Sequence, residues 1–256
     1  VIQRAVVATE HPGAFRVVVD GHDQSQVDLA DPTRLAFDYV RRMGDVLDAV
    51  APAGAPVRVV HVGGAGLTLP RYVAATRPGS PQVVLEPDEE LTALVREELP
   101  LPRRSGIKVR PVDGLAGVAA LRDDHAEVVV VDAYADGVVP EELTAAPFLH
   151  DLARVLAPGG VVLLNLADRA PFARGREAVA GLRAAVGRVV LSAEPATLRG
   201  RRAGNLLLVA GAGPALDGLL ATLQRSAATS AAPYRVLDER QVSDGFGGGR
   251  VRTGPG

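Results

Sequence analysis

The sequence predicts an α/β fold: a mainly parallel sheet of seven strands, the last one antiparallel, with helices on both faces and a small β segment ahead of it. Three observations carry this expectation. From Val57 onward, short β-branched runs alternate with helical patterns, the order that strand-helix-strand crossovers produce. The run Glu127–Val131 is almost continuous valine, as a strand buried on both faces requires. The runs Arg188–Ser192 and Asn205–Ala210 are separated by about a dozen residues without helical period, which points to an antiparallel hairpin at a sheet edge.

Taken in order, Val57–Val62 is a predicted strand, Thr68–Ala75 a helix, and Gln82–Leu85 a strand closed by Glu86 and Pro87. Asp88–Leu99 follows as a helix, with an acid at its start and Pro100 as its stop. Ile107–Val112 is a strand, Gly114–Leu121 a short helix, and Glu127–Val131 the central strand. A loop holding Asp132, Tyr134 and Asp136 leads into a helix over Glu141–Leu156, which the turn Ala157-Pro158-Gly159-Gly160 ends before the strand Val161–Leu164. Gly175–Val186 is the last crossover helix. Ahead of all this, Phe15–Val19 has a β pattern and Thr33–Val50 a helical one, so residues 1–50 form a β segment and connecting helix. Residues 51–211 form the Rossmann-like nucleoside-binding domain. Residues 212–256 supply a helix at Ala215–Arg225 and a glycine-rich tail from Gly245, expected to be mobile. Five strand-helix units, a sixth strand and a closing hairpin match the class I methyltransferase-type sheet better than the six-stranded dinucleotide fold, whose strands are all joined by crossovers.

Composition narrows the function classes. With 47% hydrophobic residues and a net charge of −2, the chain falls among ordinary globular proteins, and no nucleic-acid partner is suggested. It has no cysteine and its five histidines show no ligand spacing, so thiolate chemistry is excluded and no metal site is implied. No apolar run approaches the ~20 residues that span a bilayer, and no signal-peptide pattern stands at Val1. The default expectation is a cytoplasmic protein without a membrane partner.

The chemistry is expected at the carboxyl edge of the sheet. After the first strand comes His61-Val62-Gly63-Gly64-Ala65-Gly66-Leu67, small residues that let backbone approach a ligand at a helix N-terminus. Glu86 ends the second strand, where a carboxylate can accept from both hydroxyls of an adenosine ribose. Asp113 follows the third strand, where an acceptor can meet the adenine amino group, although a helix cap explains it equally well. Dehydrogenases also carry an acid at the position of Glu86, but Leu69 stands where their third glycine would be. Asp132 sits at the tip of the central strand, facing the ligand crevice, unless it merely caps its loop.

Further upstream, Val19-Asp20-Gly21-His22-Asp23-Gln24-Ser25 is similar to the Leu-Asp-Gly-x-x-Gln-Ser/Thr stretch of the spermidine synthases, and Tyr39 follows at about the spacing of their active-site tyrosine. Val62–Gly66 resembles the family's glycine loop, Leu85–Asp88 its ribose-binding acid, Val112-Asp113-Gly114 its adenine-side Asp-Gly, and Asp132–Pro140 its gate loop. The resemblance implies transfer of an aminopropyl group from decarboxylated S-adenosylmethionine to a polyamine, with Asp132 as base and Tyr39, Tyr134 and Asp136 lining the pocket. Gln24, Gly63, Gly64, Gly66, Glu86, Asp113 and Gly114 would then hold the donor. It also implies a homodimer.

The chain departs from the family pattern in three places. Gly66 aligns with the acid that grips the donor's amine, the acids Asp132 and Asp136 are one residue further apart than usual, and Pro195–Arg199 lacks a tyrosine and runs into Arg201 and Arg202. If those arginines face the crevice, they suit an anionic acceptor or the carboxylate of intact S-adenosylmethionine. Two alternatives therefore stand beside aminopropyl transfer: a methyltransferase acting on a neutral or anionic small molecule, and a catalytically silent nucleoside-binding or assembly module.

Overall fold

The structure, a computed structural model, describes residues 2–134 and 138–254. It opens with a three-stranded antiparallel sheet of β1 (Arg4–Ala8), β2 (Ala14–Val19) and β3 (His22–Asp28). The expected β segment is thus larger than the single run Phe15–Val19. Asp20-Gly21 forms its two-residue turn with φ of 47° and 78°, the left-handed pair that a tight hairpin with right-twisted strands demands. Next come α1 (Asp38–Ala49), β4 (Val59–Val62), α2 (Thr68–Thr76), β5 (Gln82–Leu85), α3 (Glu89–Glu98), β6 (Ile107–Arg110), α4 (Gly114–Ala119) and β7 (Ala126–Val131). The chain continues through α5 (Ala146–Val155), β8 (Leu156–Asp168), α6 (Ala173–Ala185), β9 (Arg188–Ala193), α7 (Pro195–Leu198), β10 (Gly204–Gly211), α8 (Ala215–Thr229), β11 (Arg235–Leu237) and α9 (Glu239–Phe246).

The main sheet has the order β11-β9-β10-β8-β7-β4-β5-β6. Strands β6, β5, β4, β7 and β8 are parallel, and β10 runs antiparallel to both β8 and β9. The expected hairpin is present, but not at an edge. Strand β10 inserts beside β8, and β11, an eighth strand the sequence pattern did not reveal, covers β9. The helix expected over Glu141–Leu156 is divided into a 3-10 turn at Glu141–Thr144 and α5. Pro147 begins the second piece, because proline has no N–H to give the preceding turn. The helix expected from Thr33 starts only at Asp38.

Side chains of β7 alternate between two cores, as the period of a strand requires. Val129 and Val131 pack with Val60, Val62, Leu152, Leu164 and Leu182 on one face. Val128 and Val130 pack with Val59, Met43, Leu47, Tyr72 and Leu163 on the other. Each such side chain contributes about 1.5–3 kcal/mol on burial. A third, smaller core joins Val17 and Val27 to Leu67, Val84, Leu91, Val95 and Leu99. It seats the N-terminal sheet on the turn after β4. The glycine-rich tail is fastened where it is described: Ala146 N–H donates to Arg252 O at 2.7 Å, and Arg252 pairs with Glu141 at 2.5 Å and Glu177 at 2.8 Å.

Candidate active site

Two strand tips and a helix start converge because glycine allows them to. Gly63 has φ of 91°, and a Cβ there would lie 2.5 Å from Asp132 O and 3.0 Å from Ala133 Cα. Only glycine lets the end of β4 lie this close to the end of β7. Gly114 plays the same part for α4, where a Cβ would stand 2.5 Å from Val62 Cγ1. Ala65 and Leu67 hold φ of 38° and 61°, left-handed backbone that residues with a Cβ adopt at a cost of roughly 1–3 kcal/mol.

Glu86 stabilises this turn. Its Oε2 accepts from Gly64 N–H at 2.9 Å and Ala65 N–H at 3.1 Å, and its Oε1 accepts from Asp88 N–H at 3.0 Å. The carboxylate faces the cavity from behind the loop rather than standing unattached at the strand tip. Asp113 does cap α4, its Oδ1 accepting from Ala116 N–H at 2.9 Å, yet it also lines the cavity.

Asp132 lies just beyond β7. Its Oδ1 accepts from Asn165 Nδ2 at 2.9 Å. Burial pushes its carboxyl up to about 6, and the bond from Asn165 partly opposes that shift. Asn205 Nδ2 donates to Asn165 Oδ1 at 3.1 Å and to Tyr134 OH at 3.3 Å. Tyr39 stacks on Phe37 with centroids 6.0 Å apart. Burial raises the hydroxyl pKa of both Tyr39 and Tyr134, and the nearby negative charge of Asp132 adds to it. Both hydroxyls therefore stay protonated in any ordinary buffer.

These groups share one cavity of about 980 Å³ between the N-terminal sheet, α1 and the carboxyl edge of the main sheet. Of the residues singled out in the sequence, it is lined by Gln24, Tyr39, Gly63, Gly64, Glu86, Asp113, Gly114, Asp132 and Tyr134. Asp136 lies outside the described residues. Gly66 is not part of the lining: its N–H donates to Ser25 Oγ at 2.9 Å, and a Cβ there would collide with that same oxygen. Arg201 and Arg202 are exposed and away from the cavity, Arg202 pairing with Glu194. Asn165 and Asn205 escaped the sequence reading. Their signal was faint, one amide each in the runs Val161–Ala167 and Asn205–Ala210 that are otherwise apolar.

The cavity is acidic. Asp20, Asp23, Glu86, Asp88, Asp113, Asp132 and Glu142 line it, and among the described residues no Lys or Arg does. Asp23 and Asp88 are balanced from outside by Arg16 and Arg4; among the described residues the other five carboxylates have no salt-bridge partner. His61 also lines the cavity and is buried. Burial pushes its imidazole down to about 4 despite its 2.9 Å bond to Gln82, so it adds no positive charge at neutral pH.

The fold and site can be set beside known proteins. The chain matches a crystal structure of a probable spermidine synthase from Corynebacterium glutamicum with a TM-score of 0.89 and 25% identity, over 100% of this chain and 93% of that one. The chain is spermidine-synthase-like. A spermidine synthase from Thermotoga maritima shares the fold at a TM-score of 0.59 and 16% identity, over 91% of this chain and 76% of that one. A stretch of 82 residues is 34% identical to a probable polyamine aminopropyl transferase from Bifidobacterium longum, covering 32% of this chain but only 18% of that relative's length. No protein-family model matches the chain.

The departures of this spermidine-synthase-like chain take on physical meaning in the fold. Gly66 does not line the cavity, and Ser25, Val17 and Val27 of the N-terminal sheet fill the space that an acidic side chain at this position would need. Any group that balances a donor's ammonium must come from another part of the wall.

Proposed function

We propose that this protein is an aminopropyltransferase, moving the aminopropyl group of decarboxylated S-adenosylmethionine onto a cationic amine. The observation that carries the proposal is the charge of the cavity: carboxylates in the wall and no Lys or Arg among its described lining residues. Such a wall attracts cations and repels anions, which favours a sulfonium donor without a carboxylate and an amine acceptor. The same observation disfavours the anionic acceptor that Arg201 and Arg202 brought to mind. The likeness to spermidine synthases supports the reading independently.

On this reading Gly63 and Gly64 bring backbone close to the donor, Glu86 and Gln24 take polar groups of its nucleoside, and Asp113 and Gly114 stand on its adenine side. The donor supplies an electrophilic carbon next to a positively charged sulfur; as the new C–N bond forms, the C–S bond breaks and its electron pair returns to sulfur, leaving a neutral thioether. Asp132 removes the proton that keeps the acceptor nitrogen's lone pair occupied. With a carboxyl near 6, Asp132 is ionised at neutral pH and is a stronger base than an ordinary aspartate. An alkylammonium titrates near 10.4, so burial must bring it down to within reach. Tyr39 and Tyr134, held neutral, flank the reacting nitrogen, and Asp136, four positions after Asp132 in the sequence, is the second acid that the resemblance assigns. A homodimer goes with the resemblance.

The test is direct. The protein is incubated with decarboxylated or intact S-adenosylmethionine, with putrescine as the probe acceptor, and the products are read by mass spectrometry. Aminopropylated putrescine and methylthioadenosine, formed from the decarboxylated donor and abolished by Asp132→Asn, are the expected result. Methyl transfer from the intact donor would overturn the proposal in favour of a methyltransferase, and tight donor binding without any product would favour a silent binding module.

A further inference from the structure

Three adjacent strands bring Asp132, Asn165 and Asn205 into a row. Val131 of β7 pairs with Leu164 of β8, which sets Asp132 beside Asn165. On the other side Asn165 pairs with Leu207 of β10, so Asn205, two residues earlier, is its diagonal neighbour on the same face. Asn165 is fully buried, at 0% exposure. An unpaired amide in such a place is strongly unfavourable, and Asn205, half-buried at the cavity wall, supplies its partner.

Their chemistry fixes the direction of every bond. An ionised carboxylate only accepts, so Asn165 must turn its Nδ2 to Asp132 Oδ1. Asn165 Oδ1 is then left to accept from Asn205 Nδ2 at 3.1 Å, and the second hydrogen of that amide goes to the Tyr134 oxygen at 3.3 Å. One carboxylate oxygen is thereby occupied, while among the described residues Oδ2 has no hydrogen-bond partner and the Tyr134 O–H has no acceptor, so both can turn to a ligand. The far end is anchored as well. Arg42, buried in α1, donates to Asn205 O at 3.1 Å and to Ser192 O at 2.8 Å.

We propose that Asn165 and Asn205 are positioning residues: a directional amide relay that presents one free oxygen of ionised Asp132 to the acceptor amine and points the Tyr134 hydroxyl proton outward. The proposal rests on the aminopropyltransferase reading for what that oxygen does, but the relay's effect on Asp132 can be measured without turnover. Asn165→Leu keeps the volume and removes the donor. Asn205→Leu keeps Asn165 and removes its anchor.

The experiment labels aspartate with ¹³C at the carboxyl carbon and follows the Asp132 resonance, assigned by its loss in Asp132→Asn, through a pH titration. Wild type should titrate near 6. In Asn165→Leu the midpoint should rise by about one unit or more, a tenfold loss of the ionised form at a given acidic pH. In Asn205→Leu it should rise by less. Should Asn165→Leu fail to fold, Asn205→Leu carries the test by itself. A midpoint unchanged within 0.3 unit in a folded variant, taking ~0.3 as the reading error against shifts of order one unit, overturns the proposal. Where turnover is found, the acid limb of its pH profile should move with the titration while KM for the donor stays the same. If no form of the protein makes product, the functional reading fails, and a shifted titration still upholds the relay.

Discussion

Replacing Asp132 by Asn should stabilise the folded protein above neutral pH while abolishing its turnover. The carboxyl is raised from its ordinary value to about 6, chiefly by burial. The folded chain therefore holds that proton more tightly than the unfolded chain, which releases it near 3.8. Between those values the native state binds more protons, so the contribution of Asp132 to stability declines as pH rises from about 4 to about 6 and is fully lost above 7. A shift of roughly two units corresponds to about 3 kcal/mol. Asparagine has the same shape, carries no charge, and still offers an oxygen to Asn165 Nδ2. Urea unfolding followed by circular dichroism at steps from pH 4.5 to pH 8 measures the difference between the two proteins, in which all other titrations cancel. The advantage of Asp132→Asn should grow by about 2 kcal/mol over that range and then level off, equivalent to about 4 °C or more in Tm for a chain of this size. A difference that stays flat with pH, or that falls as pH rises, would refute the assignment of a buried, destabilised carboxylate.

Arg77 is 1% exposed and donates all five guanidinium hydrogens to carbonyls, those of Leu47, Asp48, Ala51, Pro52 and Ala55. Arg77→Ala should lower stability by about 3 kcal/mol or more by leaving those oxygens unpaired, and Arg77→Lys should recover only part of it, since lysine has three donors in the wrong arrangement; chemical denaturation reads both. Gly66→Asp, which puts back the acid found in the family's loop, should not improve donor binding by calorimetry. It should instead lower Tm, because Ser25 and Val17 occupy the space. Glu86→Ala should weaken binding of methylthioadenosine, measured by calorimetry, and should also lower stability by about 1–3 kcal/mol, since Gly64, Ala65 and Asp88 lose the acceptor of their N–H groups.

What was legible in the sequence was whatever repeats along the chain. Val128–Val131 announce a strand buried on both faces, and the strands and helices from Val57 to Ala210 appear in the expected order because crossover units impose a local alternation. Strand β11 was illegible for the opposite reason: Arg235–Leu237 is three residues long, and its place beside β9 is set by packing of α8 and α9. The N-terminal hairpin was less legible: its turn, Asp20-Gly21, suits left-handed backbone, but β1 and β3 lack the apolar alternation that Phe15–Val19 shows. The cavity residues were legible as types at strand tips. Their surroundings were not: Gly66 is enclosed by Ser25, 41 positions away, and Glu86 is occupied by a loop 21 and 22 positions upstream. Asn165 and Asn205 were hidden because an isolated amide in an apolar run has no period of its own, and only strand pairing brings the two together.

The charge of the cavity and the ionisation of Asp132 are two aspects of one equilibrium. Burial holds the carboxyl near 6, and among the described lining residues no Lys or Arg is present to lower it. A positive ligand supplies that missing charge. At about 6 Å and an effective dielectric near 20, one such charge favours the carboxylate by roughly 3 kcal/mol, about two pKa units. By linkage, the ionised form must bind the cation more tightly by the same factor. Affinity for decarboxylated S-adenosylmethionine, followed by calorimetry, should therefore increase as pH rises from 5 to 7, and by several-fold more in the wild type than in Asp132→Asn. Neutral methylthioadenosine should show no such dependence with either protein. If the donor bound equally well at both ends of that range in the wild type, Asp132 would not face the sulfonium, and the base assigned to it would have to be sought elsewhere in the wall.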